Sequence, residues 1–124
     1  MTIDELRTLD LTMPIEEFFA IGYYKWSGYN LKACFASDKS GNIFQFSSGE
    51  KAVQGAKALA VNYCKEDCED GTIYCSLAMK IKCGGGREPV NEDLAYFTFK
   101  GTQTTRDEIM EQLEKLRNER GREA

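Results

Sequence analysis

The chain contains no histidine among its 124 residues. That absence removes most familiar catalytic sites, and a Cys–His nucleophile pair is impossible within one chain. Long apolar runs are also missing. None approaches the roughly 20 residues a membrane helix needs. The opening Met-Thr-Ile-Asp-Glu-Leu-Arg is polar and acidic and does not read as a secretory signal. The expected location is cytoplasmic, or periplasmic or secreted if a signal has been removed. Basic charge is in short supply, with 16 Lys and Arg against 20 Asp and Glu, for a net charge of −4. A phosphate backbone attracts proteins that supply positive charge, so this balance argues against nucleic acid and for a basic partner. The Walker-type G-x-x-x-x-G-K-[ST] pattern is absent too. The run Gly84-Gly85-Gly86 therefore reads as a turn between strands rather than a phosphate loop.

What is present fits one globular domain. Hydrophobic residues make up 42% of the chain, and this length can bury a core without staples. Thr2, with Glu5 three residues on, predicts a short helix from Thr2 to Leu9. Pro14, Glu16 and Glu17 suit the first turn of a second helical segment. Strands are expected over 19–26, 31–37 and 43–47, with Leu31, Ala33 and Phe35 on one face. Ala52, Val53, Ala56, Leu59, Ala60, Tyr63 and Cys64 recur at helical spacing behind a Ser48 cap, which predicts a central helix over about 50–65. Ile73, Cys75, Leu77, Met79, Ile81 and Cys83 alternate strictly over 72–83, the best strand pattern in the chain. Gly84 to Pro89 reads as a loop, and 94–100 as a further strand. Thr105 and Glu108 form a capping box for a C-terminal helix over about 105–118, with a frayed, charged tail from Asn118. The expected fold is a single α+β domain spanning 1–124. Its mostly antiparallel sheet has about five strands, and the helices pack on one face.

Five cysteines invite a metal or redox reading, since Cys64, Cys68, Cys75 and Cys83 fall close together. Four thiolates would satisfy a structural zinc ion. Cys75 and Cys83, however, lie eight residues apart on one strand. At about 3.3 Å per residue they are about 26 Å apart, too far to share an ion. A bridge from the helix end to the strand, Cys64 to Cys75, is geometrically reasonable, and Cys68 could take the place of Cys64. In a reducing compartment the same residues serve as small core side chains. Cys68 is flanked by Glu66, Asp67, Glu69 and Asp70, whose charge favours the neutral thiol over a nucleophile. No cofactor and no metal are expected. A calcium loop with Gly71 at its sixth position would place Cys68 and Leu77 at ligand positions, and neither can serve.

Two surfaces remain as candidates for binding. Glu66, Asp67, Glu69 and Asp70 form an acidic knob suited to a Lys/Arg-rich protein. Tyr23, Tyr24, Trp26 and Tyr29 form an aromatic run. Strand geometry puts Tyr24 and Trp26 on one face and Tyr23 and Lys25 on the other. Exposed Tyr23, Trp26 and Tyr29 would be good interface anchors or base-stacking platforms.

The order helix, three strands, helix over residues 2–64, with the alanine-bearing stretch Ser48 to Leu59, resembles the double-stranded-RNA-binding domain. That family places a pair of lysines at the start of this helix to hold phosphates. Here Gly49 and Glu50 occupy those places and only Lys51 is nearby. The resemblance implies a nucleic-acid module as an alternative function, with a disulfide-stapled structural domain as another. The residues themselves favour a non-enzymatic interaction protein of inhibitor, immunity or adaptor type.

Overall fold

The computed structural model describes residues 1–8, 12–28, 30–67 and 69–123. These form an α+β fold around a six-stranded antiparallel sheet. In chain order the elements are α1 (Ile3–Arg7), β1 (Glu16–Ser27), β2 (Asn30–Phe35), β3 (Gln45–Phe46), α2 (Gly49–Tyr63), β4 (Ile73–Gly84), β5 (Arg87–Phe97), a 3-10 turn (Phe99–Gly101), β6 (Gln103–Thr104) and α3 (Arg106–Glu123). The sheet order is β2-β1-β4-β5-β6, with β3 also beside β1.

Local signals set most helix starts. The Thr2 hydroxyl accepts from Glu5 N–H at 3.0 Å, the Ser48 hydroxyl from Lys51 N–H at 3.2 Å, and the Thr105 hydroxyl from Glu108 N–H at 3.2 Å. Each satisfies a donor that the first helical turn leaves unpaired. Leu9, the expected end of α1, lies outside the described residues. The backbone of α3 continues to Glu123, beyond Asn118.

Two expectations are corrected by long-range pairing. Glu16 and Glu17 belong to a strand, not a helical turn, because Glu16 through Tyr24 pair continuously with Cys83 through Cys75. A continuous antiparallel ladder outweighs a weak local helical preference. Arg87 to Pro89 likewise lie in β5, which begins directly after a two-residue turn. Gly85 and Gly86 both have positive φ, 65° and 77°, as that turn type requires. Pro89 is tolerated because β6 pairs only with Tyr96 and Phe97, which leaves this part of β5 at the sheet edge. The two-residue β6 has no sequence pattern of its own.

The helices do not share one face. Ala52, Ala56 and Ala60 of α2 pack with Ile21, Ala78, Ala95 and Phe97 on one side. Leu6 of α1 and Ile109 of α3 pack with Ala20, Leu77, Met79, Ile81 and Tyr96 on the other. β4 is therefore buried on both faces from Cys75 to Met79, and even Ser76 is fully enclosed. Its hydroxyl donates to the Ala56 carbonyl at 2.5 Å, so the polar atom carries no unpaired cost. The alternation of β4 also breaks once. Tyr24 pairs with Cys75 but Lys25 with Ile73, so Tyr74 is an extra, bulged residue. The bulge turns Ile73 to the α2 side, away from Cys75, Leu77, Met79 and Ile81.

The half of the chain resembling an RNA-binding domain has the expected element order. It is not a self-contained unit, because the longest pairing of β1 is with β4, outside it.

Candidate functional site

Two loops meet where α2 gives way to β4. The first, residues 64–67 and 69–72, is tied down by backbone. Lys65 N–H donates to the Ile73 carbonyl at 2.9 Å, Thr72 N–H to Glu69 at 3.1 Å, and Gly71 N–H to Trp26 at 2.9 Å. Asp70 Oδ1 then accepts from Gly28 N–H at 2.6 Å, which pins the loop to the turn between β1 and β2. Asp70 therefore acts as a clasp. Glu66, Asp67 and Glu69 are exposed.

The second loop is the 3-10 turn between β5 and β6. Thr98 N–H donates to the Thr102 carbonyl at 2.8 Å, and Gly101 N–H to Thr98 at 2.9 Å. Lys100 sits at φ 62°, a left-handed conformation that a side-chain-bearing residue adopts at some cost. Its Nζ lies 5.4 Å from the centre of the Phe99 ring. A side chain at Gly101 would strike Val61, so the turn is pressed against α2.

Between the loops lies a cleft of about 510 Å³. Its walls include Tyr74 and Phe99, and among the described lining residues the charged ones are Glu66, Glu108 and Lys65. Thr104 donates its hydroxyl to Glu108 Oε2, which orients that carboxylate. Tyr74 is half-buried, and burial pushes its phenol up from the usual value, helped by neighbouring Cys75. Of these residues only Glu66 is a candidate from sequence. The capping box marks Glu108 as a helix-start residue, but nothing local says that it meets a loop 42 positions earlier.

The acidic cluster is thus divided. Glu66 lines this cleft, whereas Asp70 lines a separate depression with Lys25, Lys32 and Cys34. The aromatic run divides as well. Trp26 is only 1% exposed and packs at 5.5 Å from Tyr74, so it is a core side chain and not a surface anchor. Its ring partner Tyr74 packs on the α3 side together with Tyr24, while Tyr23 packs on the α2 side and is partly buried. Burial raises the Tyr23 phenol, with Cys34 adding to the shift. Tyr29 lies outside the described residues, as does Cys68.

Cys64 and Cys75 are both free thiols. Cys64 joins the α2-side core and Cys75 the opposite one, as small core side chains. The bulge at Tyr74 presents Ile73, not Cys75, to the end of α2, where Cys64 and Ile73 form a bridge pair. Burial pushes the Cys64 thiol up to about 12. Cys75 is raised further, by burial first and then by Cys64. Both stay neutral near pH 7, which suits packing and not nucleophilic attack. Among the described residues no three His, Cys, Asp or Glu side chains gather to hold a metal, and no helix is long and apolar enough to cross a membrane.

Comparison with protein-family models, with curated proteins and with solved structures finds no match to this chain.

Proposed function

We propose that this is a small non-enzymatic binding protein, of inhibitor, immunity or adaptor type, that recognises a basic protein through loop 64–72. The observation that supports this most is the anchoring of the loop. Backbone hydrogen bonds to Trp26 and Ile73 and the Asp70 clasp hold it, while Glu66, Asp67 and Glu69 stay exposed. Among the described residues, the ion pairs of the protein link Glu17 to Lys80 and Lys82, not these acids to any cation. A loop whose backbone is already anchored loses little freedom when a partner docks, so more of the electrostatic attraction remains as affinity. The nucleic-acid alternative has less support, because its proposed stacking platform, Trp26, is inside the core.

Affinity capture from the source cells, with the wild-type chain and a Glu66→Lys, Asp67→Lys, Glu69→Lys variant side by side, tests the reading. A basic protein should be retained by the wild type, lost by the variant, and released as salt rises from about 0.05 to 0.5 M. Equal retention by both chains would remove the acidic loop from the interface.

A further inference from the structure

The cleft beside that loop has a more specific chemistry than the loop alone. Its carboxylates, Glu66 and Glu108, come from elements far apart in sequence. Tyr74 and Phe99 add aromatic rings, and Thr98, Thr102, Gln103 and Gln112 add polar groups. The lining charge is one lysine against two glutamates, a net of −1. An anionic ligand would face both carboxylates. A large apolar ligand would strand the polar lining. A guanidinium group suits each part. It is a flat cation carrying only donors, it pairs with carboxylates through two parallel bonds, and it stacks on aromatic faces. The ring of Phe99 already attracts a cation, its own neighbour Lys100 at 5.4 Å. At about 510 Å³ the cleft has room for a whole arginine side chain and its flanking backbone.

We infer that this cleft seats an arginine side chain of the basic partner, held between the Glu66 and Glu108 carboxylates and the Phe99 and Tyr74 rings. The inference rests on the basic-partner reading for its biological meaning. It can nevertheless be tested without the partner. Lys65 is then an antagonist within the site, since its ammonium competes for the same carboxylates.

The test is an NMR titration of the full chain, labelled with 15N, using the peptide acetyl-Gly-Arg-Gly-amide. The same peptide with citrulline, a neutral analogue of arginine, and with lysine serves as control. Backbone amide shifts should concentrate at Tyr74, 98–104 and Glu108, and the citrulline peptide should leave them in place. Glu108→Gln retains an acceptor for Thr104 and should weaken the arginine peptide about tenfold, as expected for a lost charge-assisted pair. Lys65→Met should tighten it by about threefold, the opposite of its effect on an anion site. Citrulline binding as well as arginine would overturn the inference in favour of a neutral polar ligand. Lysine binding better than arginine would overturn the planar, bidentate geometry. Weaker binding in Lys65→Met, or shifts confined to Asp67 and Glu69, would also overturn it. The last result would leave the acidic-loop reading standing if partner capture still fails in the charge-reversed variant. Conversely, cleft shifts together with unchanged partner capture would sink the loop reading and, because the charge-reversed variant also alters Glu66, would overturn the assignment of the partner's arginine to this cleft.

Discussion

The two faces of the sheet are built on opposite rules. On the α2 side the helix presents alanine at every buried position, Ala52, Ala56 and Ala60, each with no exposed surface. Small side chains let the helix approach until the Ser76 hydroxyl reaches a helical carbonyl. Gly55 continues the theme, since a side chain there would collide with the Phe46 ring at 2.7 Å. A mid-helix glycine costs about 1 kcal/mol relative to alanine, and here the ring fills the space it leaves. On the opposite side, larger side chains stand up from the strands. Trp26, Tyr24, Tyr74, Met79 and Tyr96 lie on this face, met by Leu6 of α1 and Ile109 of α3. Coverage there is incomplete, and a groove of about 140 Å³ remains beside Tyr24, Leu77 and Met79. One face is held by closeness of backbones, the other by bulk of side chains. The first should fail when atoms are added, and the second when they are removed.

Removal should have the largest effect. Trp26→Ala takes the largest fully buried side chain out of the bulky face and should cost about 3–5 kcal/mol. Urea unfolding followed by circular dichroism would measure it, and a cost below about 1 kcal/mol would mean that the ring is not packed as described. Addition comes next. Ala56→Leu forces a larger side chain between α2 and β4 and should cost about 1–3 kcal/mol by overpacking. A neutral or stabilising result would show that the α2 face has slack, and the contrast between faces would disappear.

The mildest probe is alkaline pH. The groups with raised values include Cys75, Tyr24, Tyr74 and Tyr96 on the bulky face and Cys64 beside α2, each shifted first by burial. A thiol raised from 9.0 to about 12 keeps its proton more tightly when folded than when unfolded. Its contribution is complete below about pH 9 and is lost as pH climbs towards 12. Melting temperature should therefore hold to about pH 8.5 and then fall. Cys64→Ala should retain most of that fall, because Cys75, Tyr24, Tyr74 and Tyr96 lie across the sheet. A flat profile in the variant would assign the whole effect to the α2 side.

Much of the architecture is legible in the sequence. The three caps, the alanine stripe of α2, the alternation of Leu31, Ala33 and Phe35, and the glycine turn all depend on residues within a few positions of one another. The site is far less legible. Glu66 stands out through local charge, whereas Glu108, Tyr74 and Phe99 become its neighbours only after β5, β6 and α3 have folded back. Trp26 is misleading for the same reason. An aromatic in a strand has two possible faces, and only tertiary packing says whether its own face is covered.

The sequence by itself determined the α+β class, most of the element order, and a chemistry without histidine, because composition and short-range periodicity are properties of the chain. Tertiary structure decided which face each helix covers, that Cys64 and Cys75 join different cores, and that two distant glutamates line one cleft. Those outcomes turn on strand register and a single bulged residue, Tyr74, and register is fixed by burial of the whole sheet rather than by any local stretch.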